Sequence, residues 1–290
     1  DSVGSEDPDV DFVDAAFRFY VDGSHTGATP ISTQVGGKTN SQTLTLKAIE
    51  TNSDTGACEA ALTTTTDVEI AYECEDPTVC SSNQLSFSGE GVTGSDNQAT
   101  FDFSNASSNS TTVEMDFGTN GEASFSFLFN DVGKIKLHAK STLPSSGPTL
   151  TGSSNAFVVR PFGLHVYAVG DTPAIDGTGD PYKKVGESFS IGVRGVLYEV
   201  LDDNVGTPDG IPDGHSSNDP DTYADLSNNA IAPSFGNETT GADVTLTVAH
   251  QLPSGGTVGT LSGNAEVIDF SGGAGLNVTD DGSGPVSSSY

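Results

Sequence analysis

The run ASFSFLFNDVGKIKLHA, residues 123–139, decides the fold. Phe125, Phe127 and Phe129 fall on alternate positions, and after a short break Ile135 and Leu137 do the same between Lys134, Lys136 and His138. Side chains two apart share a face of an extended chain, so 123–129 and 134–139 each predict an antiparallel strand buried on one side only.

The same period extends in both directions. Upstream lie AAFRFYV (15–21), QTLTLKAI (42–49), DVEIAY (67–72), ATFDFS (99–104) and TVEMDF (112–117). Downstream lie AFVVRPF, LHVYAV, SFSIGVRGVLYEV, DVTLTVAH and AEVIDF. Turn-forming residues separate them, as in GTNGE (118–122), where positive φ must be tolerated. No helical apolar periodicity of useful length occurs, and 35 Gly, 14 Pro, one Met and no Trp also favour strands and tight turns. The expected class is all-β, with tandem antiparallel β-sandwich (Ig-like) domains. The acidic stretch 1–11 reads as a linker tail, and STLPSSGPTLTGSSN (141–155) as punctuation between a first sandwich over 12–150 and a second over 151–290. At GPVSSSY, Val286 and Tyr290 begin an alternation that does not finish, so the second domain is expected to be incomplete and the chain a fragment of a longer protein.

Forty acidic residues stand against ten basic ones, a formal net charge of -30. Repulsion from phosphate argues against nucleic-acid binding and against anionic membranes. No stretch reaches the roughly 20 apolar residues a membrane-spanning helix needs. Such a surface suits a salt-adapted extracellular protein, and it also attracts divalent cations.

The densest charge lies in DDNVGTPDGIPDGHSSNDPDTYAD, residues 202–225, which holds seven aspartates and no Lys or Arg. Calcium takes six to eight oxygen ligands from a flexible loop. Asp202, Asn204, Asp209 and Asp213 supply carboxylate and amide oxygens at suitable intervals, and Asp219, Asp221 and Asp225 complete that site or form a second. The segment looks like the calcium loops of thrombospondin type 3 repeats, where the phrase DGIPD is familiar. It departs from an EF-hand, since Gly206 stands where a third ligand is expected and no Glu closes the loop. The competing reading is a solvated acidic loop whose carboxylates repel one another. Asp171, Asp176 and Asp180 form a smaller cluster of the same kind.

Three cysteines are present. Cys74 and Cys80 in YECEDPTVC bracket a five-residue loop that a disulfide can close, implying an oxidising compartment. Cys58 is then a buried thiol, or else the partner of Cys74 in an alternative pairing. A zinc reading lacks a fourth ligand and C-x2-C spacing.

Catalytic signatures are missing: there is no H-E-x-x-H and no G-x-S-x-G, and His25, His138, His165, His215 and His250 are scattered. His138 and His165 lie in strand patterns and read as satisfied sheet residues. GEGVTG (89–94) is a Gly-rich turn without a strand-turn-helix context. Asn105, Asn109, Asn237 and Asn277 begin N-x-S/T sequons, read as turn residues.

The phrases FRFYVDG, STQVGGK, GACEAAL, VEIAYECEDPTVC, NGEASFSFLFNDVGKIKLHA, GSSNAFVVRPFG and PSFGNE together resemble the DUF6701 region of MshQ-like proteins. Those proteins are encoded with the mannose-sensitive haemagglutinin type IV pilus of marine and aquatic bacteria. The resemblance implies an exported β-rich surface protein associated with a pilus and without established catalytic activity, and it supplies no functional residues to transfer. The expectation is therefore a non-enzymatic surface or pilus-associated structural and adhesion protein on a Gram-negative bacterium, stiffened by calcium and assembling with copies of itself or with pilus subunits. Strand edges such as the end near Val286 offer a route to such assembly. Glycans or matrix are further candidate partners. The alternative is a carbohydrate-binding module of a larger secreted protein, for which the absence of Trp is unfavourable.

Overall fold

The computed structural model describes residues 15–21, 30–52, 54–79, 84–88, 90–92, 95–96, 110–143, 147–169, 190–203, 207–213, 224–239, 243–246, 260–262, 266–269, 277–278 and 287–289. Among them are twenty-one strands and one 3-10 turn, Val200–Asp202, and no α-helix. The chain is all-β. ATFDFS (99–104) and the cluster Asp171, Asp176 and Asp180 lie outside the described residues.

In chain order the first strands are β1 (Ala15–Val21), β2 (Gln34–Val35), β3 (Leu44–Thr51), β4 (Cys58–Ala60), β5 (Thr65–Asp76), β6 (Leu85–Phe87) and β7 (Glu90–Val92). They continue as β8 (Ser95–Asp96), β9 (Thr111–Asp116), β10 (Glu122–Phe125), β11 (Phe127–Phe129), β12 (Gly133–Thr142), β13 (Thr149–Ser153) and β14 (Phe157–Arg160). The later strands are β15 (Gly163–Val169), β16 (Ser190–Val196), β17 (Asp243–Leu246), β18 (Thr260–Ser262), β19 (Glu266–Asp269), β20 (Asn277–Val278) and β21 (Ser287–Ser289). The chain divides into two compact units. One comprises residues 1–34, 39–129 and 134–158; the other comprises 35–38, 130–133 and 159–290.

The main sheet of the first unit runs β10-β3-β1-β13-β12-β14-β2, with β5 pairing β12, β8 and β9, and β4 pairing β3. A second, three-stranded sheet is ordered β11-β6-β7. Alternation sorts the side chains: Phe17, Leu44, Leu46, Ala48, Val113, Met115 and Phe125 are buried, whereas Arg18, Glu114 and Ser124 on the same strands are exposed. Phenylalanines fill the core, with Phe87 stacked on Phe125 at 4.6 Å between centroids and Phe129 edge-on to Tyr72 at 5.6 Å. Each fully buried ring contributes roughly 2–3 kcal/mol through the area it removes from water.

One expectation is corrected. Residues 123–129 are two strands, because β10 pairs with β3 in the large sheet and β11 pairs with β6 in the small one. Asn40 intervenes: its Oδ1 accepts from Phe127 N at 2.6 Å while Phe127 O accepts from Asn40 N at 3.0 Å, and Ser126 O accepts from Ser88 N. The period of two survives the change of partner, so the alternation conceals it.

The second unit contains the sheet β15-β16-β20 and the pairs β17-β19 and β18-β21. The strand at Ser287–Ser289 is thus antiparallel to Thr260–Ser262, while Val286 lies outside the described residues. Its apolar cluster is Val132, Val193, Leu197, Ala232 and Phe235, with Leu164 packed against it. No helix among the described residues is long and apolar enough to cross a membrane.

Candidate functional site

The acidic stretch follows β16 and Val200–Asp202, and its described residues, 202–203, 207–213 and 224–225, bond to residues of the second unit. Two glycines bring a cation to it. A Cβ on Gly36 would lie 2.6 Å from Asp131 O, and Gly37, at φ 80°, would place one 2.9 Å from Tyr198 N. Only glycine permits so tight a turn. Tyr198 N donates to Gly36 O at 2.9 Å and Lys38 N to Val35 O at 3.1 Å, which fixes the lysine that follows.

Lys38 Nζ reaches Asp203 Oδ2 at 3.0 Å and Pro208 O at 3.0 Å, and lies 4.7 Å from the centre of the Tyr198 ring. Asp203 also accepts from Asp209 N through Oδ1 (3.1 Å) and from Gly210 N through Oδ2 (2.8 Å). Burial of Asp203 opposes its ionisation, but the Gly210 amide, the Lys38 ammonium and the Asp209 amide outweigh it and hold the carboxyl below its usual range. Burial, together with the Asp203 charge and a hydrogen bond to it, raises the Tyr198 phenol.

The phrase DGIPD forms a turn that protein groups satisfy. Asp209 Oδ1 accepts from Ile211 N at 2.9 Å, and Gly210 adopts φ 84°, where a Cβ would lie 2.8 Å from Val35 Cγ2. Arg160 Nη2 donates to Gly210 O at 2.8 Å. Asp202 is fully buried; its backbone carbonyl accepts from Asp213 N at 3.0 Å and its Oδ1 from Asp225 N at 2.9 Å. Asp225 in turn receives Ser227 N and Ser227 Oγ.

Of the seven proposed metal ligands, Asp202, Asp209, Asp213 and Asp225 are described, whereas Asn204, Asp219 and Asp221 lie outside the described residues. Asp202 is buried, and Asp209, Asp213 and Asp225 are exposed. No three His, Cys, Asp or Glu side chains among the described residues gather as metal ligands would. Sequence reasoning passed over Asp203 and Lys38. The available signal was the adjacent pair Asp202-Asp203 and a lysine fixed behind Gly36-Gly37 in a chain with few cations.

Two further polar anchors support this unit. Asp131, wholly buried, accepts from Ser234 N (2.8 Å), Ser234 Oγ (2.6 Å) and Val132 N (2.9 Å). Arg194 Nε donates to His165 Nδ1 at 3.1 Å and Nη2 to Ser227 O at 3.2 Å. Burial and then the Arg194 charge lower the His165 pKa against the pull of Asp225.

In the first unit, His138 sits between Ser153 Oγ (2.8 Å from Nδ1) and Glu73 Oε2 (3.1 Å from Nε2), with both His138 and Glu73 buried. Ser153 is directly opposite His138 across β12 and β13, so the three groups satisfy one another in the sheet. Glu75 bonds Lys134 and Lys136, each at 2.8 Å, which lowers its pKa, chiefly through the Lys134 and then the Lys136 hydrogen bond. Cys74 is disulfide-bonded and Cys58 is a free, exposed thiol. Exposure of Cys58 corrects the buried-thiol reading and excludes its pairing with Cys74; Cys80 lies outside the described residues.

These features define an all-β protein whose first unit is an Ig-like domain and whose charged groups serve to anchor loops. The chain belongs to the DUF6701 family: the profile described as domain of unknown function (DUF6701), first Ig-like domain, matches residues 1–153, and that of the DUF6701 second domain matches residues 160–279. A comparison with curated proteins found no match.

Proposed function

We propose that this chain is a non-enzymatic extracellular structural and adhesion module, associated with a pilus or cell surface. The observation that carries the reading is the anchoring of the described part of the acidic loop after β16, residues 202–203 and 207–213, through Lys38, Arg160 and buried aspartates of the second unit. A highly charged loop on a β-scaffold suits a surface that extends into solvent and meets other molecules with its loops. The DUF6701 membership and the disulfide at Cys74 support export. Pairing of Cys74 with Cys80 belongs to the same proposal.

Calcium enters as a supplement to Lys38. Exposed Asp209, Asp213 and Asp225 leave carboxylate oxygens at the loop surface, and neutralising them would tighten the turns already formed. Immunogold labelling of intact cells tests the location, with label expected on the surface or along pili and label confined to the cytoplasm contradicting it. A chelator is expected to lower the melting temperature of the purified chain; an unchanged transition removes calcium from the proposal and leaves the rest standing.

A further inference from the structure

Arg18 and Tyr20 of β1 and Lys47 and Ile49 of β3 share one face of the sheet, beside β4 and the turn at 119–122. A groove of about 460 Å³ there is lined by Arg18, Tyr20, Lys47, Cys58, Glu59 and Asn120, among others. That volume lies within the range of small-ligand sites, roughly 300–1,000 Å³. Gly121 shapes one wall. At φ 73°, with a Cβ position only 2.6 Å from Ala48 O, it folds the turn after β9 down onto β3 and β4 and brings Asn120 to the rim.

The charges in the groove are unevenly matched. Arg18 and Lys47 are direct cross-strand partners, an arrangement in which like charges repel. Lys47 is neutralised by Glu122 at 2.9 Å. Arg18 is exposed, and its one polar or ring contact among the described residues is with Tyr20, its guanidinium 5.5 Å from the ring centre. Every other described basic residue has a carboxylate or carbonyl acceptor: Lys38, Lys47, Lys134, Lys136 and Lys140 pair with acids, and Arg160 and Arg194 donate to backbone oxygens. In a chain with four acids per base, a guanidinium that forms no ion pair with an acid among the described residues, although Glu59 and Glu122 line the same groove, is suited to an external carboxylate. Glu59, held by Asn52 Nδ2 at 3.1 Å, and Asn120 offer oxygen and amide groups that suit hydroxyls.

We propose that this groove binds a carboxylated sugar, its carboxylate on the Arg18 fork and its hydroxyls on Glu59 and Asn120. The net charge of -30 repels any anion alike, so the choice rests on Glu59, which repels a simple anion locally. A sugar acid turns Glu59 from a liability into an acceptor. The binding requires neither the pilus association nor calcium.

Amide chemical shifts of the whole chain, titrated at physiological salt with glucuronate, glucose and glutamate, test the assignment. Glucuronate is expected to shift residues around Arg18, Lys47, Glu59 and Asn120 saturably, with a millimolar Kd. Arg18→Gln is expected to weaken it at least about tenfold, with Arg18→Lys intermediate because it lacks the fork. Glu114→Gln, exposed on β9 and outside the groove, serves as a control that leaves affinity unchanged. Unchanged melting temperatures would show that the Arg18 variants are folded. The proposal fails if glucuronate produces no saturable shift, if glucose or glutamate matches it, or if Arg18→Gln binds equally well.

Discussion

The ammonium of Lys38 lies 3.0 Å from Oδ2 of Asp203, 165 residues further along the chain, and the carboxylate it meets is completely shielded from solvent. One of the crowded aspartates thus takes its counter-charge from within the chain. Replacing Lys38 by Met leaves Asp203 buried with only its remaining hydrogen bonds. The expected cost is about 2–3 kcal/mol, below that of a fully buried pair because the ammonium is partly exposed. Asp203→Asn should cost less, since the amide oxygen still accepts from the Gly210 amide. Chemical denaturation of the two variants checks the order.

Asp131 and Ser234 predict a strong coupling. Asp131→Ala strands the Ser234 amide and hydroxyl in a buried site and is expected to cost about 3 kcal/mol. Ser234→Ala removes one bond and should cost about 1 kcal/mol. The double variant should be less destabilised than the two single effects added, by about 1 kcal/mol, as a double-mutant cycle would read.

Gly210 and Gly56 provide a matched comparison. Both have positive φ, 84° and 68°, but a Cβ on Gly210 would meet Val35 Cγ2 at 2.8 Å while one on Gly56 meets nothing within 4 Å. Gly56→Ala should cost about 1 kcal/mol from backbone strain alone. Gly210→Ala should cost at least about 1 kcal/mol more through the added clash. Equal losses would show that the Gly210 turn is less tightly packed than the geometry indicates.

Acid should weaken the second unit in two windows. His165 has its pKa lowered by burial and by Arg194, so the unfolded chain takes up the proton first. The stability due to its neutral state is complete above the ordinary value of 6.5 and is lost as pH falls through the folded value. Asp203 is likewise lowered, so its contribution is complete above 3.8 and disappears as pH falls further. Melting temperature against pH should therefore fall in two steps, and Arg194→Gln should shrink the upper one.

Thiol chemistry checks the cysteines. Under native, non-reducing conditions alkylation should modify Cys58 alone, and after reduction and unfolding it should modify all three cysteines. Native labelling of Cys74 would overturn the disulfide.

Alternating apolar residues by themselves determined that this chain is built of strands, because a period of two admits one extended arrangement that buries Phe17, Leu46 or Leu137 and leaves Arg18, Lys47 or Lys136 outside. The DUF6701 resemblance was legible too, but from particular phrases such as GSSNAFVVRPFG and not from the period. Strand partnership was not: 123–129 keeps its period while passing from one sheet to another, since alternation specifies a face and says nothing about which neighbour supplies the hydrogen bonds.

The acidic loop shows the same division. Its charge density was evident from DDNVGTPDGIPD, and so was the need to neutralise it. That Asp203 takes Lys38, that Gly210 is required by Val35 and that Arg18 is left facing a groove depended on contacts between distant residues. Electrostatic pairing acts over a few ångströms of space, and only the tertiary structure brings those residues within that range.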